Sequence, residues 1–282
     1  MNRVQRSYLF VPGNRPDRFA KAFAAGADAV IVDLEDAVPR SQKNEARQAA
    51  ADWLAQDKPT FVRINDVTTE WFRGDLDICS LPAVSGVLLP KAERVENLAF
   101  IERKLNPTAH ILPLIETAKG FSNARELARM PRVQRLIFGE IDFQIDLGIK
   151  GAGEELLYFQ SELVLISRIA GIQAPVAGIN AAIDDAESLR ADTLRARRLG
   201  FGAKLLIHPK QVAIVHECFR PSAEEIAWAK RVLDAASTSQ GAAVSMNGQL
   251  VDRPIVAQAE SILLEADQRS GGTESMNPKM SI

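Results

Sequence analysis

The chain has 282 residues, of which 46% are hydrophobic and 25% are charged, and its formal net charge at pH 7 is −2. This is the composition of an ordinary globular protein, long enough for one large α/β domain or for one domain with an appendage. The near-neutral charge argues against a nucleic-acid-binding surface, and the two cysteines are too few for a disulfide framework or a zinc cage. Because no stretch has the length of a membrane span or the pattern of a signal peptide, we expect a cytoplasmic protein without membrane partners.

Short apolar runs rich in Val, Ile and Leu recur along the chain and alternate with segments of helical period. The eight runs are residues 7–12, 29–35, 60–65, 86–91, 110–116, 135–142, 175–180 and 203–209. Strands that are apolar throughout suit a parallel sheet covered by helices. Eight such β-then-α units favour a closed (β/α)₈ TIM barrel over residues 1–221. A doubly wound open sheet is the alternative, because periodicity alone does not show closure.

A smaller module follows the predicted barrel. Residues 222–237 are predicted to form a helix that Ser222 opens, with Glu225 in capping-box spacing. A hairpin over residues 242–251 and a helix from about 255 to 267 come next. Because a module of residues 222–268 is too small to be stable alone, we expect it to pack on its own barrel or on a neighbouring subunit. The polar tail, 269–282, is predicted to be disordered.

Two carboxylates, Glu116 and Asp142, stand where the fifth and sixth apolar runs stop. In a parallel barrel the carboxyl ends of neighbouring strands lie side by side, so these two acids would face one another at the end where barrel enzymes place their active sites. Mg²⁺ takes one or two protein carboxylates and keeps its other positions for water or substrate oxygens. The pair therefore predicts a Mg²⁺ site, although either acid alone could simply cap the next helix.

Other charged residues close the predicted strands. Arg63 could neutralise charge that develops on a reacting oxygen, and Glu35 and Asp36 are candidates for the same catalytic cluster, or for ion pairs with Arg63. The backbone N–H groups that follow Gly139 could hold a substrate carboxylate, because the next turn opens a helix. These residue types suit the stabilisation of an enolate or the binding of a keto acid.

A set of basic residues forms a second group of binding candidates. Arg15, Arg18 and Lys21 follow the first strand at helical spacing, where they could meet phosphates or form only a solvated basic face. Lys91, at the end of the fourth run, could also contact phosphates or could form a structural ion pair.

With these residues collected, the chain resembles the citrate lyase β-subunit-like acyl-CoA lyases, a branch of the HpcH/HpaI aldolase superfamily, over about residues 5–267. The motifs that carry the resemblance are Phe10-Val11-Pro12-Gly13, Val32-Asp33-Leu34-Glu35-Asp36, Val62-Arg63-Ile64-Asn65, Leu89-Pro90-Lys91, Ile115-Glu116-Thr117-Ala118, Phe138-Gly139 with Asp142-Phe143, Gly200-Phe201-Gly202-Ala203-Lys204, Ile207-His208-Pro209 and Gly248 through Asp252.

The resemblance implies a Mg²⁺-dependent TIM barrel, commonly a homotrimer, that acts on a coenzyme A thioester. Such enzymes cleave a 3-hydroxyacyl-CoA of the malyl, citramalyl or citryl class into acetyl-CoA and a 2-keto acid, or run the Claisen-type condensation in reverse. By position, Glu116 and Asp142 would hold the metal and Arg63 would contact the reacting oxygen. Asp252 would be the general base, presented from a neighbouring subunit.

Gly139, Glu140 and Ile141, at the predicted start of a helix, are candidates for binding the substrate. Two departures from the family pattern bear on that pocket. Ala177 stands near the position where members often carry an acid, and Glu140 comes two residues before Asp142, where many members have a glutamate immediately before the aspartate. These departures affect the expected keto-acid pocket more than the metal site.

Three alternatives remain from the sequence. The chain could be the β subunit of a citrate lyase complex, with α and acyl-carrier subunits as partners and citryl-acyl-carrier protein as substrate. It could be an aldolase that acts on free keto-hydroxy acids, although no histidine here follows an early strand. It could also be a catalytically silent CoA-binding subunit.

Overall fold

Eight parallel strands close into a barrel in chain order, and β1 completes the ring by pairing with both β2 and β8. The structure is a computed structural model that describes residues 4–151, 153–238, 243–246 and 249–270. The strands are β1 Ser7–Pro12, β2 Ala29–Asp33, β3 Thr60–Arg63, β4 Val84–Leu89, β5 His110–Ile115, β6 Ile137–Phe138, β7 Val176–Ala177 and β8 Ala203–Leu206. The predicted TIM barrel is confirmed, and the open doubly wound sheet is wrong because the sheet has no edge.

Helices cover the outside of the barrel. They are α1 Phe19–Ala24, α2 Lys43–Leu54, α3 Phe72–Ile78, α4 Val95–Glu102, α5 Ala118–Ser122, α6 Ala124–Ala128, α7 Glu140–Leu147, α8 Leu157–Ala170, α9 Ala186–Leu199 and α10 Gln211–Cys218. The longer helices bury apolar side chains on one face; in α2, for example, Ala46, Ala50 and Leu54 are buried. Within the described residues, no helix is long and apolar enough to cross a membrane.

The side chains of each strand alternate between the inside of the barrel and the helix layer. Tyr8, Ile31, Phe61, Leu112 and Ile137 belong to the cluster that fills the barrel interior. Two residues further along, the same inward face continues to the strand ends, for example to Asp33 on β2 and Arg63 on β3. The barrel interior therefore ends, at the carboxyl ends of its strands, in a ring of side chains that share one cavity.

One predicted strand boundary is wrong in a way that matters for the site. The sixth strand ends at Phe138, and Asp142 lies in the first turn of α7 rather than at the end of a strand. Gly139 precedes the helix, and the acids Glu140 and Asp142 are stabilised there because the first turn carries the positive end of the helix dipole. The other strands differ from the predicted runs by a few residues at their ends.

The residues after the barrel form a second compact unit, which begins at Arg220. It contains α11 Ala223–Thr238, β9 Val244–Met246, β10 Gln249–Val251 and α12 Arg253–Ser270. The predicted capping box is present, because Ser222 Oγ accepts from the Glu225 amide at 3.0 Å and Glu225 Oε2 accepts from the Ser222 amide at 2.7 Å.

The helix, hairpin and helix order of this unit is confirmed. The two strands pair antiparallel, while the predicted hairpin turn at Asn247 and Gly248 lies outside the described residues. Ala229, Val232 and Ala259 form the centre of a small core between the helices. The last helix continues to Ser270, so residues 269–270 of the predicted disordered tail are helical, and residues 271–282 lie outside the described part.

Candidate active site

A cavity of about 400 Å³ lies at the carboxyl ends of the barrel strands. Its lining combines the inward-facing strand ends with the start of α7: Phe10, Pro12, Asp33, Asp36, Ala37, Arg63, Leu114, Glu116, Gly139, Glu140, Ile141, Asp142, Gly178, Ile179, Leu205 and Ile207. Both predicted metal ligands and the predicted catalytic arginine are among them. The structure thus brings most of the predicted site residues together in one space.

Glu116 is a buried carboxylate at the base of this cavity, with only 3% of its surface exposed. Its Oε1 accepts a hydrogen bond from the Lys91 amide at 2.8 Å. Burial raises the pKa of Glu116 to about 8, and the nearby charges of Glu35 and Asp142 add to the increase. A carboxyl group in this state gains more than an exposed one from a cation that shares its site.

Gly139 allows the loop after β6 to pass directly beside Glu116. A Cβ atom at this position would lie 2.6 Å from Glu116 Oε2, closer than real Cβ contacts. Since α7 begins at the next residue, the amide groups of its first turn face the same region as Glu116. The glycine is therefore required for the metal candidates and the helix start to share the cavity.

The donor set of Glu116 and Asp142 fits Mg²⁺. Both carboxylates line the cavity, and the charge of Asp142 acts on Glu116. Among the described residues, no group of three or more His, Cys, Asp or Glu side chains is arranged to hold a metal ion. Two carboxylates with space beside them match Mg²⁺, which usually keeps several positions for water and substrate oxygens.

Arg63 is held in the cavity by a cluster of acids. Its Nε and Nη2 each lie 2.7 Å from an oxygen of Asp33, in a bidentate pair. Burial would lower the pKa of Arg63, but Asp33 and then Glu35 and Asp36 raise it above its ordinary value, so the guanidinium stays charged. Glu35 Oε2 lies 3.0 Å from Arg63 Nη1, yet it has no hydrogen-bond partner, so this contact is Coulombic rather than directional.

Asp33 is the main residue that the sequence reasoning missed. Glu35 and Asp36 were expected as ion-pair partners of Arg63, and Asp36 is more distant, at 3.9 Å from Nη1. The missed signal is the period of two along β2, because Ile31 faces the barrel interior and Asp33 continues the same face.

Glu35 and Lys91 lie beside the cavity rather than in it. They line a neighbouring space of about 500 Å³, which Asp36 also borders. Lys91 Nζ lies 3.4 Å from Glu35 Oε1, while burial raises the pKa of Glu35 against the effect of Arg63. Lys91 also has a left-handed backbone conformation with φ of 45°, uncommon for a residue with a side chain. The Lys91 amide therefore donates to Glu116, and its ammonium pairs with Glu35.

Glu140 lines the cavity, but its carboxylate is hydrogen-bonded to a side chain of the surrounding helices. Oε1 accepts from Gln160 Nε2 at 2.8 Å, and Gln160 Oε1 in turn accepts from Arg195 at 2.7 Å. Burial raises the pKa of Glu140, and the buried ammonium of Lys204 opposes the increase. Ile141, the next residue, lies at the cavity with 43% of its surface exposed.

Two of the three N-terminal basic candidates lie together. Arg18 and Lys21 line a separate space of about 380 Å³, next to His208. Arg15 instead forms a bidentate pair with Asp17 at the surface, with distances of 2.9 and 2.7 Å. Arg18 and Lys21 are therefore the better placed of the three to meet a phosphate.

Asp252 lies in the C-terminal unit, between β10 and α12. Its Oδ1 accepts a hydrogen bond from the Ile255 amide at 3.3 Å, in the position of a helix N-cap. Pro254 in the first turn of α12 suits this start, because its missing N–H would be unpaired there in any case. The side chain is partly exposed.

The chain is similar in sequence to proteins of one known family. The family model described as HpcH/HpaI aldolase/citrate lyase matches residues 6–209. A citrate lyase subunit beta-like protein of Deinococcus radiodurans is 38% identical over 92% of this chain and 96% of its own. A (3S)-malyl-CoA thioesterase of Cereibacter sphaeroides is 34% identical over 93% of this chain and 94% of its own.

A solved structure agrees with these sequence relatives. The CitE protein of Mycobacterium tuberculosis, in complex with magnesium, acetoacetate and coenzyme A, is 33% identical and has a TM-score of 0.85. The match covers 95% of this chain and 100% of that chain. The chain is therefore an enzyme of the HpcH/HpaI aldolase/citrate lyase family.

Proposed function

We propose that this protein is a Mg²⁺-dependent carbon–carbon lyase that cleaves a 3-hydroxyacyl-CoA of the malyl, citramalyl or citryl class to acetyl-CoA and a 2-keto acid, or catalyses the reverse condensation. The observation that carries the proposal is the pair of carboxylates, buried Glu116 and half-buried Asp142, which shares a cavity with the charged Arg63. The CitE protein of M. tuberculosis, solved with magnesium, acetoacetate and coenzyme A, supports the same ligand classes.

Glu116 and Asp142 would hold the metal in this proposal. When bound, Mg²⁺ supplies Lewis acidity to adjacent carboxylate and carbonyl oxygens of the keto acid. The first-turn amides of α7, which follow Gly139, orient the substrate carboxylate. Arg63 contacts the oxygen on which charge develops, and Asp33 keeps its guanidinium oriented.

Asp252 is the general base of the proposal, supplied by a neighbouring subunit of a homotrimer. In cleavage it takes the proton of the substrate hydroxyl, whose electrons form the keto C=O as the carbon–carbon bond breaks. The bond's electron pair passes to the thioester as an enolate, which takes up a proton to become acetyl-CoA. In synthesis Asp252 removes a proton from the acetyl-CoA methyl instead.

The phosphates of the CoA thioester are assigned to Arg18 and Lys21. Both side chains line the space beside β1 and β8. Phe10 and Ile207 border both this space and the cavity, so the thioester end of a CoA molecule bound here would reach the cavity along them. Two cations at such a position match the charge-assisted binding of phosphate groups.

The test uses the purified protein alone, with Mg²⁺ and with EDTA, against malyl-CoA, citramalyl-CoA and citryl-CoA. Acetyl-CoA and keto acid are followed together. Metal-dependent release from one thioester supports a stand-alone lyase. No cleavage of any of the three thioesters, with activity restored by added α and acyl-carrier subunits, would instead support a β subunit of a citrate lyase complex. Gel filtration would then show the association with these partners.

Thioester hydrolysis is the second candidate. In its favour, the Cereibacter sphaeroides relative that matches this chain across almost its whole length is a (3S)-malyl-CoA thioesterase. Hydrolysis would release free CoA and a hydroxy acid, whereas lyase chemistry leaves the thioester intact in acetyl-CoA. The products therefore separate the two candidates.

Mg²⁺ binding is expected to depend steeply on pH. Because the pKa of Glu116 is raised to about 8, this carboxyl is mostly protonated at pH 7 and must lose its proton to bind a cation. The affinity for Mg²⁺ should rise about tenfold per pH unit up to pH 8 and then level off. Isothermal titration calorimetry in buffers of different ionisation enthalpy measures both the affinity and the proton released.

Lys91 supplies a test variant for this prediction, and Lys119 supplies its matched control. The charge of Lys91 lowers the pKa of Glu116, so Lys91→Met should move the pH at which the Mg²⁺ affinity levels off to above 8. Lys119→Met removes an ammonium that pairs with Glu93 on the neighbouring loop, and it should leave the profile unchanged. A wild-type affinity that is flat between pH 6 and 8 would contradict the assignment of Glu116 as a ligand.

A further inference from the structure

The cavity at the strand ends is charged on one side and apolar on the other. Strands β2 and β3 contribute Asp33 and Arg63, and the proposed metal ligands follow on β5 and α7. The remaining arc of the closed barrel is β7, β8 and β1. That arc contributes mainly hydrocarbon: Ile179, Leu205, Ile207, Phe10 and Pro12.

On the polar side of the cavity, the acidic side chains outnumber the basic ones. Among the described residues that line this cavity, Arg63 is the one cation, and it is held by two 2.7 Å contacts to Asp33 and by the Coulombic contact to Glu35. In the proposed function, the helix N-terminus binds one carboxylate of the substrate and Arg63 contacts the reacting oxygen, so neither is available to a second carboxylate. A second carboxylate would have to lie against acids or against hydrocarbon, where an unpaired charge is costly.

We infer that this site takes a 2-keto acid whose side chain is apolar, a methyl or larger alkyl group, and rejects one with a second carboxylate. The inference rests on the proposed lyase function and narrows its substrate. The corresponding thioester carries the alkyl group on its hydroxyl-bearing carbon, next to the carboxylate. With that carboxylate on the charged side, the alkyl group faces Ile179, Leu205 and Ile207.

The side chains of the apolar arc set the expected discrimination. Leu205 is 4% exposed, and Phe10 packs beneath the Arg63 guanidinium, 4.8 Å from ring centre to Cζ. Both side chains of the apolar wall are therefore held in place by their neighbours. Each additional methylene of the substrate that packs against this wall should raise kcat/KM about tenfold, up to the size limit of the cavity. A carboxylate in place of that alkyl end should lose at least about 100-fold.

The first test measures binding apart from turnover. Glyoxylate, pyruvate, 2-oxobutanoate and 2-oxovalerate form a series of increasing alkyl length, and oxaloacetate and 2-oxoglutarate carry the second carboxylate. Each is titrated by calorimetry into the Mg²⁺-loaded protein without CoA, and then used in the condensation with acetyl-CoA. The expected order places the alkyl acids above glyoxylate, with both dicarboxylates weakest.

The outcomes separate this inference from the proposed function. Condensation with a preference for oxaloacetate or 2-oxoglutarate keeps the lyase function and overturns the apolar specificity. The expected binding order without any condensation or cleavage keeps the specificity of the cavity and overturns the lyase function.

A charge placed in the apolar arc tests the same point within the chain. Ile179→Lys should raise the binding of 2-oxoglutarate relative to 2-oxovalerate by at least about tenfold, because the new ammonium pairs with the second carboxylate. Ile207→Lys serves as a second variant at the same wall, and Ile169→Lys, at a 55% exposed position on α8, is the matched control. If neither lysine in the wall changes the ratio, the arc does not face the substrate side chain.

Discussion

Replacement of Glu116 by glutamine is expected to reduce Mg²⁺-dependent lyase activity at least about 10³-fold while the barrel stays folded. The amide retains an oxygen that accepts from the Lys91 backbone, so the local hydrogen bond survives. What is lost is one of two anionic ligands in a cavity with a single lining cation among the described residues. Turnover with saturating Mg²⁺, measured for Glu116→Gln and the wild type, gives the ratio.

Stability separates a ligand from a structural acid. The pKa of Glu116 is raised to about 8 in the folded chain, so its ionised form opposes folding; the cost is absent below the unfolded pKa and complete above about pH 8. In EDTA at pH 8.5, Glu116→Gln should therefore be more stable than the wild type, with an unfolding free energy higher by up to about 5 kcal/mol. Added Mg²⁺ should stabilise only the wild type.

The control for Glu116 is a glutamate outside the cavity. Glu96 is exposed on α4 and pairs with Arg94, so Glu96→Gln should change neither turnover nor the stabilisation by Mg²⁺. A marked fall in the melting temperature of Glu116→Gln in EDTA would show that the carboxylate holds the barrel together, and would contradict its assignment as a metal ligand.

Asp252→Asn is expected to lower the rate by about 10²–10⁴ without lowering stability. Asparagine is as good an N-cap as aspartate, so its Oδ1 can still accept from the Ile255 amide at the start of α12. It cannot act as a base at neutral pH. Asp252→Ala should lose the same activity and, in addition, about 1 kcal/mol of unfolding free energy from the lost cap. Kinetics and thermal unfolding of both variants separate the two roles.

Mixing the two inactive variants tests whether the site is shared. If one subunit supplies Glu116 and its neighbour supplies Asp252, an equal mixture of Glu116→Gln and Asp252→Asn that exchanges subunits at random should regain about a quarter of the wild-type activity. Native mass spectrometry verifies the mixed oligomers. Mixed oligomers without recovered activity would place both residues of each site in one chain.

Much of the barrel and part of its site follow from local patterns. The eight apolar runs predict the strands because parallel strands buried on both faces need apolar residues throughout. The same runs locate Glu116 and Arg63 at the carboxyl ends. The period of two would also have located Asp33, since it shares the inward face with Ile31. Asp142 was placed on the correct side of the barrel but on the wrong element.

Other features depend on contacts that no local pattern contains. The carboxylate of Glu140 is held by Gln160 of α8, which Arg195 of α9 holds in turn, so its orientation depends on three helices distant in sequence. The left-handed backbone of Lys91 is likewise unexpected for lysine, and its amide and ammonium contact Glu116 and Glu35 only in the folded chain. Burial of Glu116, which raises its pKa, also requires the closed barrel.

The products that the purified chain forms from one thioester distinguish carbon–carbon cleavage from thioester hydrolysis. In the presence of Mg²⁺, a 3-hydroxyacyl-CoA with an alkyl group on its hydroxyl-bearing carbon is followed by mass spectrometry from the first turnover. We expect acetyl-CoA and the alkyl 2-keto acid in equal amounts, no free CoA at early times, and no reaction in EDTA. Early release of free CoA with the intact hydroxy acid would contradict carbon–carbon cleavage and would show that the site hydrolyses the thioester instead.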